Sequence, residues 1–499
     1  MSKKALIVIG SFFGILFLFL VLPFIFGGKP ASTTTGSTRS NPGGEIVFWN
    51  LFDEQDLYAG LFQLFESRNP KVKVVYKKYT NIHDYESDFI NELAEGKGPD
   101  IIAIQPSWLL KHKGKLVPMP EKSFYYGNAD KFKDTFLGPA ADDLIIKEKD
   151  TATKQDKSFV YAVPVSMDSL GVIYNRDLLI KYAAKNIPAS TWQGFEEDAK
   201  KIVRKSADGT QLLRGGVALG DMESLSRSMD IVELMMLQNG VRFYDQTMRE
   251  VSMLSSVYAS GRSLNPAEDA LAFFTSFGKN RNVNFSWSPQ LTAEKPADRD
   301  MGAFVQSKVG MIFGYSYYIN DLTNLANQYK TSSAKDIISA DYIRGAEIPQ
   351  ITDTTSGAET SKAALANYFP LSVTKSSKNP QYSWELINFL AQPEQQQFLF
   401  RKGKKLTSRF DLVDEQMKDP VYGAFVKQNI YAKSVLIPDV DKLYTVFKEQ
   451  FVDLNAGRKD EKQVLVEIQK ELQCQLDKLN AESGTVLPCE QKNTGLIQR

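Results

Sequence analysis

The chain has 499 residues, 43% of them apolar and 24% charged, a balance that suits folded lobes and excludes a largely disordered polymer. With 60 basic side chains against 59 acidic ones there is no overall field to recruit nucleic acid, which drops out as a partner. The two histidines, His83 and His112, and the two cysteines form no cluster with metal-ligand spacing, so a zinc site is not expected. At this length about two or three lobes are expected.

Residues 5–26, ALIVIGSFFGILFLFLVLPFIF, are an uncharged apolar run preceded by Lys3 and Lys4. The run is long enough to cross a bilayer as a helix, with the bulk of the chain outside by the positive-inside rule. A cleaved signal peptide is the competing reading of residues 1–28, although the run exceeds the usual apolar region of such a signal. Residues 29–44 are rich in Gly, Ser, Thr and Pro and read as a flexible linker.

From Glu45 the pattern changes. EIVFW reads as a strand, and LYAGLFQLFESRNP as a helix stopped at Asn69 and Pro70. KVKVVYKKY alternates as a second strand, DYESDFINELAEGKGPD gives a second helix and IIAIQ a third strand. That succession predicts an α/β lobe with a largely parallel sheet. KSFVYAVPVSMDSLGVIYNRDLL, residues 157–179, reads as a buried strand interrupted by Ser166, Asp168 and Ser169. Helical periodicity returns in 191–206, where Thr191 heads a capping-box arrangement, and in 230–240, 266–279, 380–400 and 459–480. Met235 and Met236 read as core filler.

No nucleophile elbow, phosphate loop, H-E-x-x-H or dinucleotide fingerprint is present. The adjacent acids Asp142 and Asp143, and Glu196 and Glu197, read as solvated faces. Cys474 and Cys489 close a short loop, and outside the cytoplasm a structural disulfide between them is plausible, with free thiols as the alternative. Aromatic residues recur at strand ends: Trp49, Trp108, and Tyr315, Tyr317 and Tyr318 after GMIFG. Such rings can stack on sugars where ligands collect at strand termini.

The order of segments resembles the extracellular solute-binding proteins of ABC importers, the family that includes the maltose- and oligosaccharide-binding proteins. The landmarks are EIVFW and NPKVKVVYKKY, EGKGPDIIAI, FVYAVPVSMDSLGVIYNRDLL, STWQGFEEDAKKI, AFVQSKVGMIFGYSYYI, YFPLSVTKSSKNPQYSWELINFLAQPEQQQFLF, and a last helix after AGRKDEKQ. The resemblance implies a periplasmic-binding-protein-like fold behind an N-terminal transmembrane helix. Two α/β lobes, 45–165 with 366–412 and 166–365 with 413–499, would be joined by a hinge with a ligand cleft between them. It further implies that YAVPVSMDSLGVIYN crosses between lobes beside the cleft, placing Asp168 as a ligand contact. Trp49, Asn50, Asp53, Ser107, Trp108, Tyr315 and Tyr317 would contact the ligand from loops.

Ser107 stands where the family's maltose binder has an acid, and residues 218–263 have no firm counterpart. The implied function is capture without chemistry: a monomer, anchored on the extracytoplasmic side, that closes on a solute and delivers it to an ABC permease. No metal or organic cofactor is implied. Carbohydrate leads, with polyamines, phosphorylated alcohols and peptides as other classes the fold accepts. A cell-surface carbohydrate-active enzyme or a solute sensor using the same cleft is the alternative.

Overall fold

In a computed structural model describing residues 43–150, 153–259, 262–292, 295–331, 336–351, 362–482 and 489, the first elements follow the periodicity of the sequence. They are β1 (Gly44–Leu51), α1 (Gln55–Arg68), β2 (Val72–Tyr79), α2 (Ile82–Ala94) and β3 (Ile101–Ala103). Asn81 starts α2 by accepting hydrogen bonds from the N–H groups of His83 and Asp84, at 2.8 and 3.3 Å. Next come β4 (Leu116–Val117), α3 (Gly138–Leu144), the paired β5 (Ile145–Lys149) and β6 (Asp156–Val160), then β7 (Asp168–Ser169) and β8 (Gly171–Asn175).

The middle of the chain supplies α4 (Trp192–Ile202), β9 (Arg204–Lys205), β10 (Leu212–Val217), α5 (Ser228–Gln238), the hairpin β11 (Val257–Ala259) and β12 (Arg262–Leu264), and α6 (Pro266–Ser276). Then follow β13 (Val309–Gly314), α7 (Tyr318–Thr331), β14 (Ile343–Ala346), β15 (Ala364–Asn367) and β16 (Leu371–Thr374). The last described elements are α8 (Pro380–Leu390), α9 (Pro393–Gly403), β17 (Ala432–Lys433), α10 (Val440–Asn455) and α11 (Glu461–Glu482).

Two five-stranded sheets organise the molecule, in the orders β2-β1-β3-β16-β4 and β14-β8-β13-β10-β9. In the first, β2, β1 and β3 are parallel, as the strand-helix alternation predicts, whereas β16 joins antiparallel from far along the chain. The second sheet is mostly antiparallel, with β10 and β13 its parallel pair. Each sheet carries an aromatic core. Phe48 meets Tyr58, Phe62 and Tyr76 in the first, and Trp192 and Phe195 meet Phe313 in the second.

A third, small sheet, β17-β15-β7, lies where the chain passes from one large sheet to the other. Asp168 stands opposite Asn367 and Ser169 opposite Ala366 in its antiparallel pair. The polar interruption of the predicted strand is thus a short strand of its own. Ser169 is fully buried, and its hydroxyl donates to Asn429 Oδ1 at 2.6 Å while accepting from Gln428 Nε2 at 2.9 Å. Asn429 Nδ2 also donates to the Met167 carbonyl at 2.8 Å, so the passing strand is tied to a distant segment without orphaned polar groups.

Several expectations are adjusted. The helix read over 380–400 is two helices, because Pro393 cannot donate within a continuous one and instead opens the next. The helix read over 191–206 ends at Ile202, since Val203 leaves the helical conformation and β9 begins at Arg204. Thr191 accepts from the N–H of Gly194, and because Gly194 has no side chain the reciprocal half of a capping box is missing. Met235 and Met236 are both core residues. Cys474 and Cys489 are paired as a disulfide, with Cα atoms 5.1 Å apart. The apolar run 5–26 lies outside the described residues, and among the described ones no helix is long and apolar enough to cross a membrane.

Candidate functional site

A cavity of about 610 Å³ opens at the carboxyl ends of β1, β3 and β13, beside the small sheet. The end of β1 and the turn after it, Asn50 to Asp53, line it, with Gln105 after β3. The crossing segments supply Val165–Asp168 and Asn367–Phe369. Arg227, Ser316, Tyr317, Asn320, Asp321, Tyr422, Lys404 and Lys405 also line the cavity. Its size and mixture of ring faces and a few oriented polar groups suit a small organic solute. Three aspartates in this lining, Asp53, Asp168 and Asp321, are matched by three cations, Arg227, Lys404 and Lys405.

Asp168 is held before any solute arrives. Its Oδ2 accepts from the N–H and hydroxyl of Ser316 at 2.9 and 2.7 Å, and Oδ1 from the N–H of Ser169 at 2.8 Å. Ser316 lies just ahead of α7, so the carboxylate fastens the start of that helix to β7 as well as facing the cavity. Burial pushes the Asp168 carboxyl up to about 6, against the pull of the Ser316 and Ser169 bonds and the Lys405 charge. The carboxylate that the sequence offers as a ligand contact is therefore already hydrogen-bonded within the protein.

Asp53 and Asn50 also line the cavity. Asp53 accepts from the Tyr58 hydroxyl at 2.9 Å and from Lys405 at 3.0 Å. Asn50 is almost fully buried and accepts from the N–H of Leu51 at 2.9 Å. Between them Phe52 is half exposed and stands in the left-handed backbone region at φ 67°, where a bulky residue is strained. That turn presents its ring to the cavity, edge-on to Phe369 with centroids 5.8 Å apart.

Tyr317 is 41% exposed and lies parallel to Tyr315, with ring centroids 5.9 Å apart. Tyr315 itself is buried, outside the lining, and its hydroxyl donates to Asp230 at 2.8 Å. Arg227 spans the cluster, donating to the hydroxyls of Tyr317 and Tyr318 and lying 5.2 Å from the Tyr315 centroid. A Cβ at Gly314 would come within 2.4 Å of the Tyr318 ring, so glycine is what lets this cluster close onto β13.

Trp49, Ser107 and Trp108 are not brought to the cavity lining. β1 is covered on both faces, so Trp49 is buried against Tyr79 and Tyr85 with the Lys77 ammonium 4.2 Å from its ring centroid. Trp108 is buried in a stack with Tyr85, whose hydroxyl donates to the Ala103 carbonyl at 2.6 Å. The sequence signal of an aromatic at a strand end is the same in both places, and which face is covered decides the outcome. Missed altogether were Phe52, Phe369, Tyr422 and Arg227. Arg227 sits in the stretch 218–263 that had no counterpart, and only the FPLS run after Asn367 gave a readable hint of Phe369.

Residues 60–421 match the family model for bacterial extracellular solute-binding proteins. Among solved structures, the sugar-binding protein MalE from the phytopathogen Xanthomonas citri is 16% identical with a TM-score of 0.68, covering 88% of this chain and 99% of that one. A cyclo/maltodextrin-binding protein complexed with maltotetraose is 18% identical with a TM-score of 0.61, over 89% of this chain and 98% of that chain. A cyclic α-maltosyl-1,6-maltose binding protein from Arthrobacter globiformis is 14% identical with a TM-score of 0.63, over 87% and 98%. At these identities the likeness is one of fold, the periplasmic-binding-protein-like α/β fold. The family match spans most of the chain, and the protein belongs to the bacterial extracellular solute-binding proteins.

Proposed function

We propose that the solute is a carbohydrate or oligosaccharide, bound in the cavity beside the small sheet and delivered to an ABC permease after hinge closure. The observation that carries this reading is the lining itself. Phe52, Phe369 and Tyr317 offer ring faces, amides and carboxylates flank them, and the formal charges of the named aspartates and cations cancel. Stacking faces with hydrogen-bonding groups and no net charge match a neutral polyhydroxylated ring better than a polyamine or a phosphate ester. The similar structures include proteins described with maltotetraose and other sugars, which supports the same class.

In this reading one lobe is 45–165 with 366–412 and the other 166–365 with 413–499, and the three strands of the small sheet are the hinge. Asp168, Asn50, Asp53 and Tyr317 contact the solute, joined by Arg227, Phe52 and Phe369. The protein acts as a monomer without chemistry on its ligand, and residues 5–26 anchor it as a single span with the bulk on the extracytoplasmic side.

Thermal unfolding of the full chain in mild detergent, against mono- and oligosaccharides, polyamines and short peptides, tests the class. A ligand at about 100 times its dissociation constant adds about 2.7 kcal/mol of stability. An upward shift with an intact oligosaccharide is the expected result; a shift with polyamines alone, or consumption of the sugar, contradicts the proposal.

A further inference from the structure

The adjacent acids Asp142 and Asp143, expected on a solvated face, are separated by the fold: Asp142 is exposed and Asp143 is partly buried. Asp143 Oδ2 accepts two short hydrogen bonds, one from the Tyr368 hydroxyl and one from the Ser434 hydroxyl, each 2.6 Å. Tyr368 follows β15 and lines the cavity between Asn367 and Phe369, which line it too. Ser434 follows β17. A single carboxylate oxygen therefore joins α3 to the ends of two of the three strands of the small sheet. α3 is in turn fixed at both ends, by the N–H of Leu137 donating to the Ser408 carbonyl and by the Leu144 carbonyl accepting from Tyr161.

The groups facing Asp143 are few. Its charged neighbour is Asp142, which acts against ionisation, and the Pro139 carbonyl shares the Tyr368 hydroxyl at 3.3 Å. Lys433, beside Ser434, is exposed, and among the described residues no cation pairs with Asp143. The two hydroxyls are thus what this carboxylate has in place of water.

We propose that Asp143 is a positioning residue for the cavity: it sets where Asn367, Tyr368 and Phe369 stand, and so links solute capture to uptake of a proton at the hinge. The linkage to capture rests on the cavity being the solute site. Burial, the larger influence, pushes the Asp143 carboxyl up to about 6, while Ser434 and Tyr368 hold it down. Its ordinary value is lower, so this arrangement binds a proton more tightly than one in which water reaches Asp143. The contribution to this arrangement is full below the ordinary carboxylate range and is lost as pH rises through about 6. Acid favours the arrangement described here; alkali favours any movement of β15 and β17 that hydrates the carboxylate.

Amide hydrogen exchange of the full chain without ligand, corrected for intrinsic rates, reads this directly at residues 364–369 and 432–435. Protection there should fall about threefold or more as pH rises from about 5 to 7.5, and Asp143→Asn should shrink that dependence, the remainder belonging to Asp168 on the neighbouring β7. Ser434→Ala, which removes one donor and leaves the carboxyl, should move the inflection upward, a change that a purely structural role would not produce. Protection independent of pH, or a pH dependence in Asp143→Asn equal to that of the wild type, overturns the proposal.

Maltotetraose affinity at the same two pH values supplies the link to capture. A pH ratio smaller in Asp143→Asn than in the wild type supports it, the remainder belonging to Asp168, and equal ratios overturn it. An exchange inflection at Asp143 without maltotetraose binding at either pH supports the proton-sensitive hinge and defeats the oligosaccharide reading instead.

Discussion

Two aromatic clusters, built from the same residue types at the ends of strands, have opposite fates in this molecule. Around Trp49, the rings of Tyr79, Tyr85 and Trp108 cover one another beneath α2, and the hydroxyl of Tyr85 is spent on backbone carbonyls. Around Tyr317, the buried Tyr315 and Tyr318 support a ring that remains open to the cavity, and Arg227 fixes the hydroxyls of Tyr317 and Tyr318. The first cluster holds a sheet together and the second presents a surface. What separates them is whether a helix lies over the ring, which is a property of the fold and not of the aromatic residue.

Truncation should separate the clusters most sharply. Trp49→Ala is expected to destabilise the protein by about 3–5 kcal/mol, the usual cost of emptying a large core site, whereas Tyr317→Ala should cost less than about 1 kcal/mol. Denaturant unfolding measures both, and equal losses would erase the distinction. Binding should show the reverse order. Tyr317→Ala is expected to weaken solute affinity by about tenfold, or about 1.4 kcal/mol, while Trp49→Phe leaves it unchanged. A calorimetric titration in which Trp49→Phe does the greater harm would move the site to the first cluster.

A third expectation concerns the Asp168 carboxylate in the cavity lining. Because the Asp168 carboxyl stands at about 6 in the folded protein, above its ordinary value, its contribution to stability is full at low pH and is lost as pH rises through about 6. A solute hydroxyl donating to the ionised form should release a proton below that pH. Asp168→Asn should make the stability profile shallower between about pH 4 and 6.5, with Asp143 supplying part of the slope that remains, and should remove the proton release, as seen by titration in buffers of different ionisation enthalpy. The smallest effect is expected at Phe52. Phe52→Gly relieves the left-handed backbone while losing the contact with Phe369, so stability should change by less than about 1 kcal/mol even as affinity falls.

Much of the first sheet was legible in the sequence because alternation in KVKVVYKKY and helical spacing before and after it leave few ways to bury the apolar faces. The interruption at Ser166, Asp168 and Ser169 was legible as a crossing beside a cleft only through the family resemblance, and the cavity does include Ser166 and Asp168. Trp49 and Trp108 were misplaced because a strand-end aromatic gives no sign of what will cover it. Asp143 was misread for a similar reason, since its partners Tyr368 and Ser434 lie more than 200 residues away in the chain. Arg227 was invisible because its role depends on three tyrosines about 90 residues further on. Phe52 reaches the cavity through a strained turn that no local preference would choose.

In the proposed function the solute binds in the cavity beside the small sheet. Isothermal titration of the best oligosaccharide from the thermal panel into the wild-type chain and into Tyr317→Ala tests it most directly. A single site whose affinity falls about tenfold or more in the variant, with the unfolding midpoint of the free protein preserved, is the predicted result. Unchanged affinity in a folded Tyr317→Ala protein would place the solute elsewhere.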